Sequence, residues 1–206
     1  MALSLRRAVP VLADGFEALA AARALTAAPT LNDATLQASG LLAIRVPRSS
    51  GGPDVSVRIL TKILLTLATA DPALAQRYRA HTLTVESLRA CDGPFDDVLS
   101  GRWPANHPPT RPGPLAPLLN AAIDLGVAKR ILTEATRAWS EHAPWLPAPV
   151  PERLSERTTD LRTAEALLDM AASTIDNGRP VTAISTAISQ AHSAITNTTI
   201  KLGLPS

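Results

Sequence analysis

The clearest pattern of apolar and polar positions lies near the end of the chain, between Pro180 and Leu202. Its apolar positions recur at alternating intervals of three and four residues, the spacing of one face of an α-helix that packs against another helix. The stripe consists of Val181, Ile184, Ile188, Ala191, Ile195, Thr198 and Leu202. The spacing therefore predicts a C-terminal helix, although the many Val, Ile and Thr residues would also suit a strand.

The polar face of this predicted helix carries no full charge. No Asp, Glu, Lys or Arg lies between Arg179 and Lys201. A solvent-facing helix normally carries charged residues on its outer side, so we expect neighbours on more than one side. One interpretation is a helix at the centre of a bundle, and the other is a face for a partner chain or a second copy. The residues of that partner face are Ser185, Ser189, His192 and Thr196.

The same alternation predicts an N-terminal helix pair over residues 1–46. The first helix spans 3–28 and ends at Pro29, with its regular part beginning near Pro10 because proline is tolerated only in a first turn. Thr30 then caps a second helix, with Asp33 three residues on as in a capping box. This second helix is expected to continue as far as the residue before Pro47.

A Gly- and Pro-containing linker separates that pair from a helical hairpin over residues 54–91. Asp54 is expected to cap the first helix of the hairpin. Asp71 and Pro72 end this helix and begin the next, because Asp is a preferred cap and Pro suits the first helical position.

The second half of the chain contains a Pro-rich loop and three long helices. Prolines deny a continuous helix to residues 92–114, where we expect a loop with one short turn at 95–99. A helix follows over 115–142, and 152–202 form a C-terminal antiparallel helical hairpin that turns at Gly178. The chain is thus predicted to be all-α, a single-domain bundle (1–206) of six to seven helices.

Composition narrows the classes of function. The net charge of +2 gives little general attraction to nucleic acid. Cys91 is the only cysteine, so no intrachain disulfide forms, and we expect a cytoplasmic protein. Asp14 and Glu17 interrupt the first apolar run too early for a signal peptide. The 17 arginines and 3 lysines indicate a GC-rich, bacterial genome. The C-terminal stretch has too few apolar residues for a membrane span, which needs about 20.

Residues 118–138 resemble the helix-turn-helix of DNA-binding proteins. The resemblance rests on a small residue four positions before the turn glycine and on apolar residues one and six positions after it. The matching residues are Ala122, Gly126, Val127 and Leu132. The resemblance implies that Lys129, Arg130 and Arg137 contact nucleic acid. Ala128 departs from the pattern, because a hydroxyl residue usually caps the second helix, and one continuous helix through Gly126 is the alternative.

No motif in the sequence predicts catalysis. Cys91, Asp92, Asp96 and Asp97 put a thiol beside carboxylates, but they lack the alternation of a calcium loop, and we predict neither a metal nor a cofactor. Helical bundles that do chemistry usually carry paired acidic and His ligands on facing helices, and these are missing. We therefore expect a non-enzymatic interaction or scaffolding protein that binds a protein partner or itself. The alternative is a DNA-binding regulator that uses residues 118–138.

Overall fold

Local capping signals and apolar stripes divide the chain into helices. The computed structural model describes residues 9–103, 113–142, 150–179 and 181–201. Eight α-helices lie in these ranges, with 3₁₀ turns at Leu41–Ala43 and Arg48–Ser50. They are α1 (Gly15–Ala27), α2 (Asp33–Ala38), α3 (Val57–Ala70), α4 (Pro72–Ala90), α5 (Asp96–Leu99), α6 (Leu115–His142), α7 (Val150–Asp176) and α8 (Val181–Lys201). These ranges contain no strand, which confirms the predicted all-α class; the one-turn α5 lies in the expected loop, whose residues 104–112 are outside the described part.

Helix α1 begins later than predicted. The side chain of Asp14 accepts hydrogen bonds from the amides of Phe16 and Glu17, at 2.8 and 2.9 Å. Because this cap satisfies the free amides of the first turn, the helix starts at Gly15 and not near Pro10.

The capping box of α2 is displaced from the predicted position. Asn32, not Thr30, is the cap, and its Oδ1 accepts a hydrogen bond from the Thr35 amide at 2.9 Å. In return, the Asn32 amide donates to the Thr35 hydroxyl at 3.0 Å. Asp33 is therefore the first residue of the helix and not the reciprocal partner of the cap.

The second helix of the N-terminal pair is shorter than predicted. Gly40 adopts a φ of 80°, a left-handed conformation that ends α2. The buried Leu41 and Leu42 follow in a 3₁₀ turn, so a single helix up to Pro47 was wrong.

The first helix of the following hairpin also starts later than expected. Asp54 has a φ of 51° and lies outside the helix, whereas Ser56 caps α3 by accepting from the Ile59 amide. The predicted Asp71 cap is confirmed, since its side chain accepts from the Ala73 and Leu74 amides.

Two helices occupy the centre of the bundle. Helix α3 contacts α1, α4, α6 and α7, and α6 contacts α3, α4, α7 and α8. Helix α8 packs mainly against α7 and α6, which confirms neighbours on more than one side. The interpretation of α8 as the central helix was wrong, because α3 and α6 hold that position and α8 keeps one side exposed.

Helices α7 and α8 form the predicted C-terminal hairpin. The stripe positions Ile184, Ile188, Ala191, Ile195 and Thr198 are all buried. The apolar ones pack with the buried Leu161, Ala164, Leu168 and Ala171 of α7 in the main apolar core. Gly178 turns the chain with a φ of 62°, as expected after a helix end.

Candidate functional site

Helix α8 presents an uncharged face to the outside of the bundle. We call this surface the α8 face; it consists of the exposed residues Thr182, Ser185, Thr186, Ser189, Gln190, His192, Ser193, Thr196 and Asn197. The exposed side of α7 differs, since it includes Glu152, Arg153, Glu156 and Arg162. All four residues of the predicted partner face thus lie on one exposed surface that carries no Asp, Glu, Lys or Arg.

Three of those four residues also line a groove. Ser185, Ser189 and His192 of α8 lie opposite Asn120 and Asp124 of α6 in a groove of about 600 Å³. Gln76 of α4 also lines the groove, as do the buried Ala121 and Ile188. We call this cavity the α6/α8 groove. Its rim is therefore built from amides, hydroxyls, one imidazole and one carboxylate.

Asp124 and His192 are the two ionisable groups among the described residues that line the groove. Asp124 Oδ2 lies 3.6 Å from His192 Nδ1, which is within range of an ion pair but too long for a hydrogen bond. Partial burial raises the pKa of the Asp124 carboxyl above its ordinary value, and the facing His192 opposes this shift. The carboxylate is therefore partly desolvated, and the facing imidazole does not fully offset this cost.

The α6/α8 groove is suited to binding polar groups. Its functional side chains project from the interior of long helices, where backbone amides donate to carbonyls four residues back. Hydrogen bonds to a ligand in this groove therefore come from side chains, among them Asn120, Ser189 and His192.

Sequence reasoning found the α8 side of this groove but missed the other side. Asn120 and Asp124 are spaced by four residues on α6, so both fall on one helical face. That spacing is a signal for a shared polar surface. It does not tell which helix lies opposite, so neither residue was assigned to the same site as His192.

The segment 118–138 does not form a helix-turn-helix. Helix α6 runs without a break through Gly126, so the turn that the resemblance implies is absent, and that interpretation of the fold was wrong. The physical reason is a helix crossing: a Cβ added to Gly126 would lie 2.6 Å from Ala68 Cβ of α3. Glycine here permits close contact between two helices. DNA binding itself stays a prediction.

The three basic residues of that segment do not form one patch. Lys129 pairs with Glu165 of α7 at 2.6 Å, and Arg130 lies 3.8 Å from Glu134 on its own helix. Arg137 is exposed further along α6. Lys129 and Arg137 line a second groove, of about 610 Å³, between α6 and α7, whereas Arg130 does not.

The thiol and carboxylates around residues 91–97 serve local roles. The Cys91 thiol donates to the carbonyl of Ser87 at 3.3 Å, and Asp97 accepts from the guanidinium of Arg102. Among the described residues, no group of three or more His, Cys, Asp or Glu side chains is placed to hold a metal ion.

Comparisons with protein-family models, curated proteins and solved structures find no match. In the ranges that the structure describes, no helix combines the length and apolar character needed to cross a membrane.

Proposed function

We propose that this chain is a non-enzymatic interaction protein that binds another protein chain through the α8 face and the adjoining α6/α8 groove. The observation that carries the proposal is the absence of Asp, Glu, Lys and Arg from the exposed face of α8 between residues 182 and 197. At 1.5 Å per residue, this face is about 22 Å long.

Physical chemistry connects such a face with protein binding. Charged side chains are depleted at the centres of protein interfaces, because removing a charge from water is costly unless it is paired. Hydroxyl and amide groups can exchange hydrogen bonds with water for hydrogen bonds with a partner at a much smaller cost. The α8 face carries no Asp, Glu, Lys or Arg over about four helical turns. Such a surface is better suited to contact with another protein chain than to permanent contact with water.

The alternative, a DNA-binding regulator, is less well supported. A duplex attracts proteins through its phosphates, and the net charge of +2 supplies little of that attraction. Because α6 is continuous, it does not provide the separate, exposed recognition helix that the resemblance implies.

The single Cys91 and the arginine-rich composition support a cytoplasmic protein of bacterial origin.

Site-specific photo-cross-linking tests the proposed function, because it captures whichever chain contacts the labelled position. A photoreactive amino acid replaces Ser189 or Thr196 on the α8 face in cells that make the protein. As the matched control, it replaces Thr163, an exposed uncharged residue of α7. We expect a discrete protein adduct from both α8 positions and none from Thr163, and the mass of the adduct distinguishes a second copy from a different chain. Equal adducts from all three positions, or none from α8, would contradict the proposal.

A further inference from the structure

We propose that the groove between α6 and α7 binds an acidic peptide segment in extended conformation. This groove, the α6/α7 groove, has a volume of about 610 Å³. The described residues that line it belong to α6 and α7 and none belongs to α8, so the proposal does not depend on the function proposed for the α8 face. The buried Leu132 and Leu161 form its apolar base, with exposed fractions of 8% and 2%.

The charge of the lining favours an anionic ligand. Lys129 is neutralised by Glu165, with Nζ and Oε2 2.6 Å apart. Arg137 and Arg162 are exposed, and neither forms an ion pair with another residue in the described ranges. Two guanidinium groups on facing helices are therefore available to a ligand. Arginine is the side chain best suited to hold a carboxylate, because its fork of N–H donors matches the two oxygens.

The hydroxyl groups of the groove restrict the ligand further. Each of them donates its hydrogen to a carbonyl of its own helix, at 2.7–2.9 Å. They belong to Thr133, Thr136, Ser140 and Thr158. While these bonds are kept, the hydroxyl oxygens act as acceptors towards a ligand. A ligand that combines anionic groups with N–H or O–H donors therefore fits the groove without breaking them.

An extended peptide with Asp or Glu side chains meets all of these requirements. Its carboxylates pair with the two guanidinium groups, and its free backbone amides donate to the hydroxyl oxygens. An apolar side chain between the acidic residues covers Leu132 and Leu161. A helical peptide fits less well, because its backbone amides already donate within the helix.

A nucleic acid is less well matched to this groove. Single strands bind mainly by stacking their bases on aromatic side chains, and none of the described residues that line the groove is aromatic. A duplex presents its phosphates on a broad convex surface, which favours protruding elements over a cavity between two helices.

Fluorescence anisotropy with the full chain tests this proposal. The probe is a labelled, capped heptapeptide in which aspartates flank a central leucine, and the reference peptide carries asparagine at each aspartate. We expect the acidic peptide to bind at least about tenfold more tightly, with an affinity that falls as salt is added. Equal affinities for the two peptides, or no binding of either, would overturn the proposal. Stronger binding of a single-stranded oligothymidylate than of the acidic peptide would overturn it in favour of nucleic acid.

Variants connect the binding to the groove. Arg137→Gln and Arg162→Gln should each weaken binding of the acidic peptide about tenfold, because each removes a charge-assisted contact. Arg153→Gln, on an exposed arginine of α7 outside the groove, should leave the affinity unchanged. Thr136→Val tests the acceptor role, and should weaken binding several-fold with little change in melting temperature. An effect of Arg153→Gln as large as that of the groove variants would place the site elsewhere.

Discussion

The carboxylate of Asp176, the last residue of α7, caps the first helical residue of α3. Its Oδ1 accepts a hydrogen bond from the Val57 amide at 2.7 Å, and its Oδ2 accepts one from the Arg58 amide at 3.0 Å. These amides lack partners within α3, and the positive end of the helix dipole favours a carboxylate there. A contact across 119 residues of sequence thus joins the C-terminal hairpin to the centre of the bundle.

This cap gives the first prediction. Asp176→Ala leaves the two amides without their acceptor and should lower the free energy of unfolding by about 1 kcal/mol, the usual cost of losing a cap. Chemical denaturation measures this difference. Glu141→Ala, at an exposed position near the end of α6, is the control and should change stability by less than about 0.5 kcal/mol. Equal effects of the two variants would show that the cap contributes nothing.

A second carboxylate of α7 predicts a pH dependence. The hydrogen bond from the Arg58 guanidinium, at 2.7 Å, holds the pKa of Asp169 below its ordinary value, and the charges of Lys62 and Arg58 add to the effect. A carboxyl group whose pKa is lower in the folded than in the unfolded chain stabilises the fold at pH values above its unfolded pKa of about 3.9. This stabilisation is lost as the pH falls from there through the lower pKa of the folded chain. Asp169→Asn should therefore have a shallower loss of stability below pH 4 than the unmodified chain. Identical slopes in acid denaturation would refute this role.

Buried His81 predicts a separate effect at higher pH. Its Nε2 lies 2.8 Å from the Leu42 carbonyl and must donate to it, because a carbonyl oxygen only accepts. Burial lowers the pKa of His81 to about 4. As the pH falls from the unfolded pKa of about 6.5 to about 4, the unfolded chain binds a proton at this residue and the folded chain does not. The free energy of unfolding therefore decreases by up to about 3 kcal/mol.

His81→Phe tests that effect. Phenylalanine keeps a ring beside Tyr78 and Trp103, which contact the imidazole in the folded chain, but it does not titrate. The variant should be less stable at pH 7, because it loses the bond to Leu42, and its stability should change much less between pH 6.5 and 4. The free energy of unfolding is measured by denaturant at each pH. A variant that keeps the full pH dependence would assign this dependence to other groups.

The effect of Gly126→Ala on stability tests whether α3 and α6 cross at Gly126. A Cβ at this position would lie 2.6 Å from Ala68 Cβ and 2.7 Å from the Leu65 carbonyl oxygen. Gly126→Ala should therefore destabilise by about 1–3 kcal/mol, in spite of the better helix propensity of alanine. Gly113→Ala is the control, since no atom of the described residues beyond its chain neighbours lies within 4 Å of its added Cβ. Stabilisation by Gly126→Ala in thermal unfolding would mean that α3 and α6 do not cross here.

Structural features that depend on residues close together in the sequence could be predicted, whereas contacts between distant residues could not. The alternating stripe that includes Thr198 and the cap at Asp71 depend on residues within a turn or two of each other, so both could be predicted. Gly40 ends α2 against the apolar spacing, because its left-handed conformation outweighs the pattern around it. The cap of Val57 by Asp176 depends on which helices are neighbours, and periodicity does not encode that.

The same distinction holds for the candidate sites. The lack of charge around Ser189 predicted either a helix at the centre of the bundle or a face for a partner chain or a second copy. Asp124 was missed because only the packing of α6 against α8 brings it to His192. In the α6/α7 groove, Arg137 was assigned to a nucleic-acid surface, whereas the folded chain places it in a groove shared with Arg162 of α7.

Introduced charge tests most directly whether the α8 face binds another protein chain. The photoreactive residue is placed at Ser193, and the adduct yield is compared with and without the double substitution Ser189→Glu, Thr196→Glu. Both positions are exposed, so the melting temperature should not change. We predict that the adduct yield falls about tenfold or more, because an unpaired carboxylate in an interface costs more than about 1.4 kcal/mol. Thr163→Glu on α7 should leave the yield unchanged. An undiminished yield from the folded double variant would contradict binding through this face.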